Sequence, residues 1–388
     1  MSDFELPEMD ENGNLKPVKS SGLKKFLSGP IVNRPASVAP VAADIPAPVH
    51  SVDLSDVNGT QTTSVAPLLN VSAVGDFPDK GTDDEKREYL KNHEFNRIAH
   101  VFNTRRRVPS QVRLHKPIPK EFILPGLRKG DLGMIAAPGA TGKTFLVLSL
   151  ALGLSGIKKD FLGRPVETTG RVIMLAGEDD ENIIDLRTWH MLPADSADGR
   201  YDHNFVPIAL SGEVPYIVEK NKGKLTRGVW YEPIRKLAEG TTLLVIDPLR
   251  RFHEADENDS QHMTYVVQTM EAIAKETNCA IIFTHHTGKA VSLSGQGDMQ
   301  QAARGSSAIT DGVRWQVNMV GMSEDEAKKF GVKDDERRQF LRIVFAKTNY
   351  APPMEDWWCR RGSGGILEPW FPPIPGGDLN FGLGDHNK

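Results

Sequence analysis

The sequence predicts an α/β domain with a mainly parallel central sheet, preceded by a disordered N-terminal extension. Three observations predict it. Short continuous apolar runs recur from Phe122 onward, at residues 132–136, 171–176, 242–246, 280–284, 313–320 and 340–346. Continuous runs, unlike alternating ones, suit strands buried on both faces. Segments with helical spacing lie between them, notably 144–154 and 261–276, as strand–helix alternation requires. The third observation is the contrast with residues 1–80, rich in Pro, Ser, Ala, Val, Asp and Gly, as in RPASVAPVAADIPAPVHSVDLSDVNGTQTTSVAP. That stretch has neither period and cannot bury enough apolar surface to offset its backbone entropy.

Composition narrows the function classes. The chain has 388 residues, 39% hydrophobic and 25% charged, with a formal net charge of −4. Such a balance excludes a globally basic nucleic-acid coat but leaves room for a local basic groove. Two cysteines, Cys279 and Cys359, are too few for a disulfide framework or a four-thiolate zinc site. No apolar run approaches the roughly 20 residues of a membrane span, and the N-terminus lacks the order of a signal peptide. The expectation is a cytoplasmic protein with no membrane partner.

Along the chain, residues 1–80 read as a leader and 81–118 as a helical, basic connector. Thr82 precedes three acidic residues, a favourable helix start. Tyr89, Leu90, His93, Arg97, Ile98, Val101 and Phe102 then form a rough helical stripe, which should stop at Arg105–Arg107 before Val108-Pro109. The α/β domain is expected over 119–371. After Ile366 the chain turns Pro- and Gly-rich and reads as a tail, with 372–388 outside the domain.

The strongest chemical signal is Ala137-Pro138-Gly139-Ala140-Thr141-Gly142-Lys143-Thr144, between the apolar run LGMIAA and the helical run TFLVLSLALG. This is the strand–loop–helix context of a phosphate-binding loop. Its glycines let backbone N–H groups turn toward phosphate oxygens, and the new helix offers its positive end. Lys143 is expected to reach the β- and γ-phosphates of ATP, and Thr144 to hold Mg²⁺. Ala137 stands where the first glycine is usual, which is tolerated if its φ is ordinary. The run TTLLVID places Asp247 at the carboxyl end of a strand, the Walker B position that accepts from Mg²⁺-bound water.

RVIMLAGEDD is a further buried strand ending in carboxylates. Glu178, taken to sit beside the P-loop strand, is the first candidate to orient or deprotonate water, with Asp179 second. Asp179 and Asp180 are otherwise helix caps. In AIIFTHHTGK, Thr284, His285 or His286 is placed to sense the γ-phosphate. The segment 288–307 is too poor in large apolar residues for a core element and is expected to be a mobile loop, with Lys289 and Arg304 gripping a phosphodiester backbone. Arg314, inside VRWQVNM, and Lys347, ending RIVFAK, are cations on strands. Each needs an acid in its own subunit or a neighbour's ATP, as an arginine finger supplied in trans.

GDLGMIAAPGATGKT, RVIMLAGEDD, TLLVIDPLRRFHEADEND, IIFTHHTGK, QAARGSSAITDGVRWQ and FAKTNY, in that order, resemble the RepA-type replicative helicases of broad-host-range plasmids. The likeness covers roughly residues 119–369. It implies a RecA-like core in a hexameric ring, ATP bound between subunits, and 5′→3′ translocation on single-stranded DNA. By position, Lys143 and Thr144 match the phosphate and Mg²⁺ residues, Glu178 the catalytic carboxylate, Asp247 the Walker B acid, His286 the sensor and Arg314 the trans finger. Arg187 matches an arginine near the nucleotide, Lys347 joins the ATP-binding set, and Arg250 and Arg251 are assigned to DNA. The compact members of the family lack an extension like residues 1–118, which leaves that region for a replication-initiation or primase partner. Two other readings stay open: a RecA-like recombination or repair ATPase, and an ATP-gated DNA-binding adaptor that does not unwind.

Overall fold

The computed structural model describes residues 67–71, 73, 75–286 and 307–373. The expectations for most of the leader, for the loop with Lys289 and Arg304 and for nearly all of the tail lie outside the described residues. The chain divides into two compact units, residues 1–113 and 114–388.

In the first unit, α1 runs over Asp83–Arg105, with Thr82 as its N-cap. The Thr82 hydroxyl accepts from Glu85 N–H while the Glu85 carboxylate accepts from Thr82 N–H at 2.7 Å, a reciprocal capping box. Asn103 accepts from the N–H groups of Leu68 and Leu69 and donates to the Leu69 carbonyl, tying down the segment before the helix. Phe77 meets Tyr89 edge-on at 5.2 Å. Of the expected stripe, Leu90, Ile98 and Phe102 remain exposed. A short helix α2 follows at Pro109–Leu114.

The second unit opens with the strand pair β1 (Phe122–Leu124) and β2 (Leu127–Arg128) and then β3 (Leu132–Ala137), α3 (Lys143–Leu154), and the pair β4 (Asp160–Phe161) and β5 (Arg164–Pro165). There follow β6 (Val172–Ala176), α4 (Glu181–Met191), β7 (Phe205–Ala209), the pair β8 (Val218–Asn221) and β9 (Lys224–Arg227), α5 (Tyr231–Ala238) and β10 (Leu243–Asp247). Next come α6 (Ser260–Thr277), β11 (Ala280–His286), α7 (Ser307–Gly312), β12 (Trp315–Gly321), α8 (Glu324–Phe330), β13 (Phe340–Thr348), β14 (Trp357–Arg361) and β15 (Leu367–Trp370).

Nine strands form one sheet in the order β15-β14-β13-β12-β3-β11-β10-β6-β7. The six from β12 to β7 are parallel, and β13, β14 and β15 add antiparallel pairs at one edge. The continuous apolar runs explain this: alternate residues of one strand enter opposite cores. Ile135, Met174, Val245 and Ile282 pack with α3 on one face, while Met134, Ile173, Leu244 and Ile281 pack with α5 and α6 on the other. Both halves of each run are therefore needed.

Two expectations change. Residues 367–370, read as tail, are an edge strand paired with β14; pairing satisfies the backbone there, and Pro369 is tolerated because its neighbour lies on one side only. The strand leading to Glu178 is not beside the P-loop strand: β11 and β10 stand between β6 and β3. No helix among the described residues is long and apolar enough to cross a membrane.

His253, just after β10, is fully buried, and burial, with Arg250 and His285 nearby, pulls its imidazole down to about 4. The unfolded chain binds that proton near pH 6.5, the folded chain only near pH 4, so stability falls as pH falls through this window. Unfolding in urea at pH 7 and pH 5 is expected to show a loss of about 2 kcal/mol from this group. The variant His253→Leu should lose less over the same interval; an unchanged slope would rule this group out as the source.

Candidate nucleotide site

The P-loop leaves β3 at Ala137, which is buried and has an ordinary φ, so alanine is accommodated there as anticipated. Gly142, with φ +99°, occupies the left-handed region as the N-cap of α3; a side chain there would be strained. This turn delivers Lys143 and Thr144 to the helix N-terminus. A cleft of about 320 Å³ follows, lined by Ala140–Phe145, Glu178, Asp179, Arg187, Asp247, Pro248, His286, Arg361 and Gly365.

Parallel pairing explains the convergence. Because β3, β11, β10 and β6 run in one direction, their carboxyl ends carry Ala137, His286, Asp247 and the residues before Glu178 to one edge. Asp247 is the buried hub. Its Oδ2 accepts from the Thr144 hydroxyl at 2.8 Å and its Oδ1 from the Thr284 hydroxyl. Burial raises its pKa, and the two hydroxyl bonds oppose that rise.

The Lys143 ammonium donates to the carbonyls of Ala137 (3.1 Å) and Pro138 (2.9 Å) and lies 3.3 Å from His286 Nδ1. Burial lowers the Lys143 pKa, opposed by Asp247 and Glu178. Burial and the adjacent Lys143 likewise lower that of His286, which keeps it neutral at pH 7. With Nδ1 accepting from the ammonium, the ring proton belongs on Nε2. His285 is buried, whereas its neighbour lines the cleft.

Asp180 caps α4 through a bond from Ile183 N–H at 2.9 Å. Asp179 does not cap; it pairs with Arg187, one face of α4 away, because the helix places that guanidinium back over its own start. Arg187 thus stands at the cleft rather than on an ordinary solvated face, and lies 5.5 Å from the Phe145 ring centroid.

Other sequence candidates lie elsewhere. Arg314 N–H bonds the Leu132 carbonyl at the start of β3. This is the amino edge of the parallel strands, opposite the P-loop. Its guanidinium makes no hydrogen bond or ion pair with a described residue. Lys347 pairs across from Gln316 at the same edge and donates to the carbonyls of Thr310 (2.8 Å) and Asp311 (3.2 Å) in α7. Neither lines the cleft of its own chain. Arg250 and Arg251 are exposed beyond β10, donating to the carbonyls of His253 and Gly177. Lys289 and Arg304 lie outside the described residues.

Sequence reading missed Phe145, Arg361 and Gly365. A basic residue ending an apolar strand before a glycine-rich turn, WWCRRGSGGIL, is the signal that marks Arg361.

A family model described as an AAA domain matches residues 103–292. Among solved structures, the chain is similar to the ATPase domain of G40P, at 12% identity and a TM-score of 0.44, over 68% of this chain and 96% of that one. It is also similar to the RadB recombinase, at 15% identity and a TM-score of 0.40, over 63% and 93%. The fold itself is an α/β sheet, six of its nine strands parallel, with the Gly142 turn and α3 at the carboxyl end of β3. In it β11 lies between β3 and β10, so one sheet edge holds Lys143, Thr144, Asp247 and His286 together.

The donor set suits Mg²⁺ bound with nucleotide. The hydroxyl of Thr144 and the carboxylate of Asp247 are hard oxygen ligands at bonding distance of each other. Among the described residues no cluster of His, Cys, Asp and Glu could hold a metal by protein ligands alone, so phosphate oxygens and water would complete the shell.

Removing the Thr284 hydroxyl leaves a buried oxygen of Asp247 without a donor, at a cost of about 1–3 kcal/mol. Thr284→Val is therefore expected to lower the unfolding free energy by that amount. Equal stability in urea titration would show that the hydroxyl does not support the carboxylate.

Proposed function

We propose that this protein is an ATP-driven replicative DNA helicase of the cytoplasm, a homo-oligomeric ring that moves 5′→3′ along single-stranded DNA in plasmid replication. The observation that carries the ring is the separation of Arg314 from Lys143. The cation stands at the amino edge of the sheet with no partner among the described residues, while the phosphate site occupies the carboxyl edge. A head-to-tail assembly brings the first edge of one copy to the second edge of the next, and such heterologous contacts make a ring when the rotation between copies closes. Six copies is the number that the likeness to RepA-type helicases implies.

In this reading the P-loop amides, Lys143 and the N-terminus of α3 bind the phosphates of ATP. Thr144 and Asp247 would hold Mg²⁺, which would supply charge neutralisation at the phosphoryl group. Glu178 orients the attacking water and accepts its proton. His286 donates from Nε2 toward the γ-phosphate and is joined through β11 to the loop with Lys289 and Arg304, which grips DNA with Arg250 and Arg251. Arg314 of a neighbouring copy, with Lys347 beside it, stabilises charge on the transferred group, a contribution of about 10³–10⁵ in rate for arginine fingers. Residues 1–118 are left to contact an initiation or primase partner.

Lys143→Ala is expected to abolish ATP hydrolysis, and retained turnover would sink the phosphate-site assignment. Arg314→Ala should lose hydrolysis by at least about 10³-fold while keeping ATP binding. Mixing Arg314→Ala with Glu178→Gln subunits should restore part of the activity at mixed interfaces; absence of rescue at every ratio would remove Arg314 from a trans role. Unwinding of a forked duplex that needs a 5′ tail supports the helicase. Strand exchange without unwinding would instead favour a recombinase, and DNA binding without stimulated hydrolysis an adaptor.

A further inference from the structure

A second groove shares no residue with the nucleotide cleft. It measures about 270 Å³ and is lined by Phe122 and Leu124 of β1, Phe161 of β4, Arg164 of β5, Val166 and, at the start of β14, Trp357. Phe122 is 40% exposed although it lies on a strand. Phe161 meets Trp357 edge-on at 5.8 Å, so two of the lining rings hold each other in place. Apolar side chains gathered around an open groove forgo the gain of burial until something covers them.

The chain itself leads to this groove. After β15 it passes the β4–β5 turn, where Gly163 has φ +75° and a Cβ would lie 3.1 Å from Pro369 and 3.6 Å from the Phe371 ring. The Arg164 guanidinium lies over the Trp357 ring at 4.1 Å and stands 5.8 Å from the Phe371 ring. Phe371, 65% exposed, is therefore beside the groove, and the described residues end two positions later at Pro373. The sequence continues IPGGDLNFGLGDHNK. Pro375-Gly376-Gly377 is turn chemistry that reverses a chain. Beyond it Leu379, Phe381 and Leu383 alternate with Asn380 and Gly382, so an extended chain puts the three apolar side chains on one side. Residues 372–378 span at most about 25 Å, enough for the return. The charges also match. Arg164 donates to the Leu162 carbonyl at 3.2 Å, has Glu355 nearby and forms no ion pair with a described residue, while Asp378 precedes the apolar alternation.

We propose that residues 378–383 of the same chain occupy this groove, with Leu379, Phe381 and Leu383 laid against Phe122, Phe161 and Trp357 and Asp378 facing Arg164. The seat is extended rather than helical, because a period of two and the glycines at 382 and 384 disfavour a helix. Delivery by Phe371 gives the chain's own segment a high local concentration at the groove, which a second copy's segment lacks. The segment acts as a strap. The β1–β2 and β4–β5 pairs are only two or three residues long, too short to be stable alone, and a strap across them adds apolar contact that neither pair makes for itself.

The test is disulfide trapping in the full chain. Cys279 and Cys359 are buried, so the reactive pair is the one introduced by Glu167→Cys, an exposed position lining the groove, and Asn380→Cys, between two of the apolar residues. A disulfide needs their Cα atoms within about 7 Å. With oxidised glutathione as oxidant, an intrachain bond is expected at least about tenfold faster than between Asn380→Cys and Glu232→Cys, the latter an exposed position on α5 at the other face of the sheet. Adding Phe381→Asp should slow trapping at the groove about tenfold, because an apolar surface rejects a charge. Equal rates at the two positions, or undiminished trapping with Phe381→Asp, would overturn the proposal. So would a bond between chains in place of the intrachain one, read as a dimer on a non-reducing gel, which would give the groove to the segment of a second copy.

Discussion

A single buried carboxylate joins the parts of this site. Asp247 receives one hydroxyl from α3, through Thr144, and one from β11, through Thr284. Each oxygen of a desolvated carboxylate needs a donor, so α3, β10 and β11 are held in register by one group. Everything else at the carboxyl edge is placed relative to it. Lys143 is one residue before Thr144, and His286 is two after Thr284, so the 3.3 Å approach of their side chains is a consequence of the same anchoring.

The cleft is also an electrostatic balance. Lys143 and His286 are both buried enough to lose proton affinity, and both face Glu178 and each other. A neutral imidazole beside an ammonium avoids a second cation in a confined space and leaves one ring N–H for an anion. The opposite edge of the sheet is arranged differently. Lys347 is engaged by carbonyls of α7, while Arg314 beside it has no described partner.

Much of the site was legible because its signals are local. The turn after β3 and the ends of β10 and β11 each place their candidate residues within a few positions of an apolar run, and the register of a strand carries them to one edge. Asp180 was legible as a cap for the same reason. Arg187 was placed near the nucleotide by the family resemblance alone, since its position depends on a helix folding back over Asp179 and on Phe145 from α3. Arg361 comes from the far side of the sheet, more than two hundred residues along the chain from the loop it touches, and the local pattern that marks it as a basic strand end does not tell what it meets. Residues 367–370 looked like tail because Pro and Gly suggest irregular chain, yet an edge strand tolerates proline.

What the sequence by itself determined is the inventory: an α/β alternation, a phosphate loop and carboxylates and histidines at strand ends, each dictated by periodicity and by short motifs whose backbone chemistry is self-contained. The tertiary structure decided how the inventory is shared out. Strand order put β11 and β10 between Glu178's strand and the P-loop strand, set Arg314 and Lys347 at the edge away from their own cleft, and brought Arg361 onto the P-loop. Those outcomes follow from which strands pair across the sheet, a matter of non-local packing on two cores that adjacent residues do not encode.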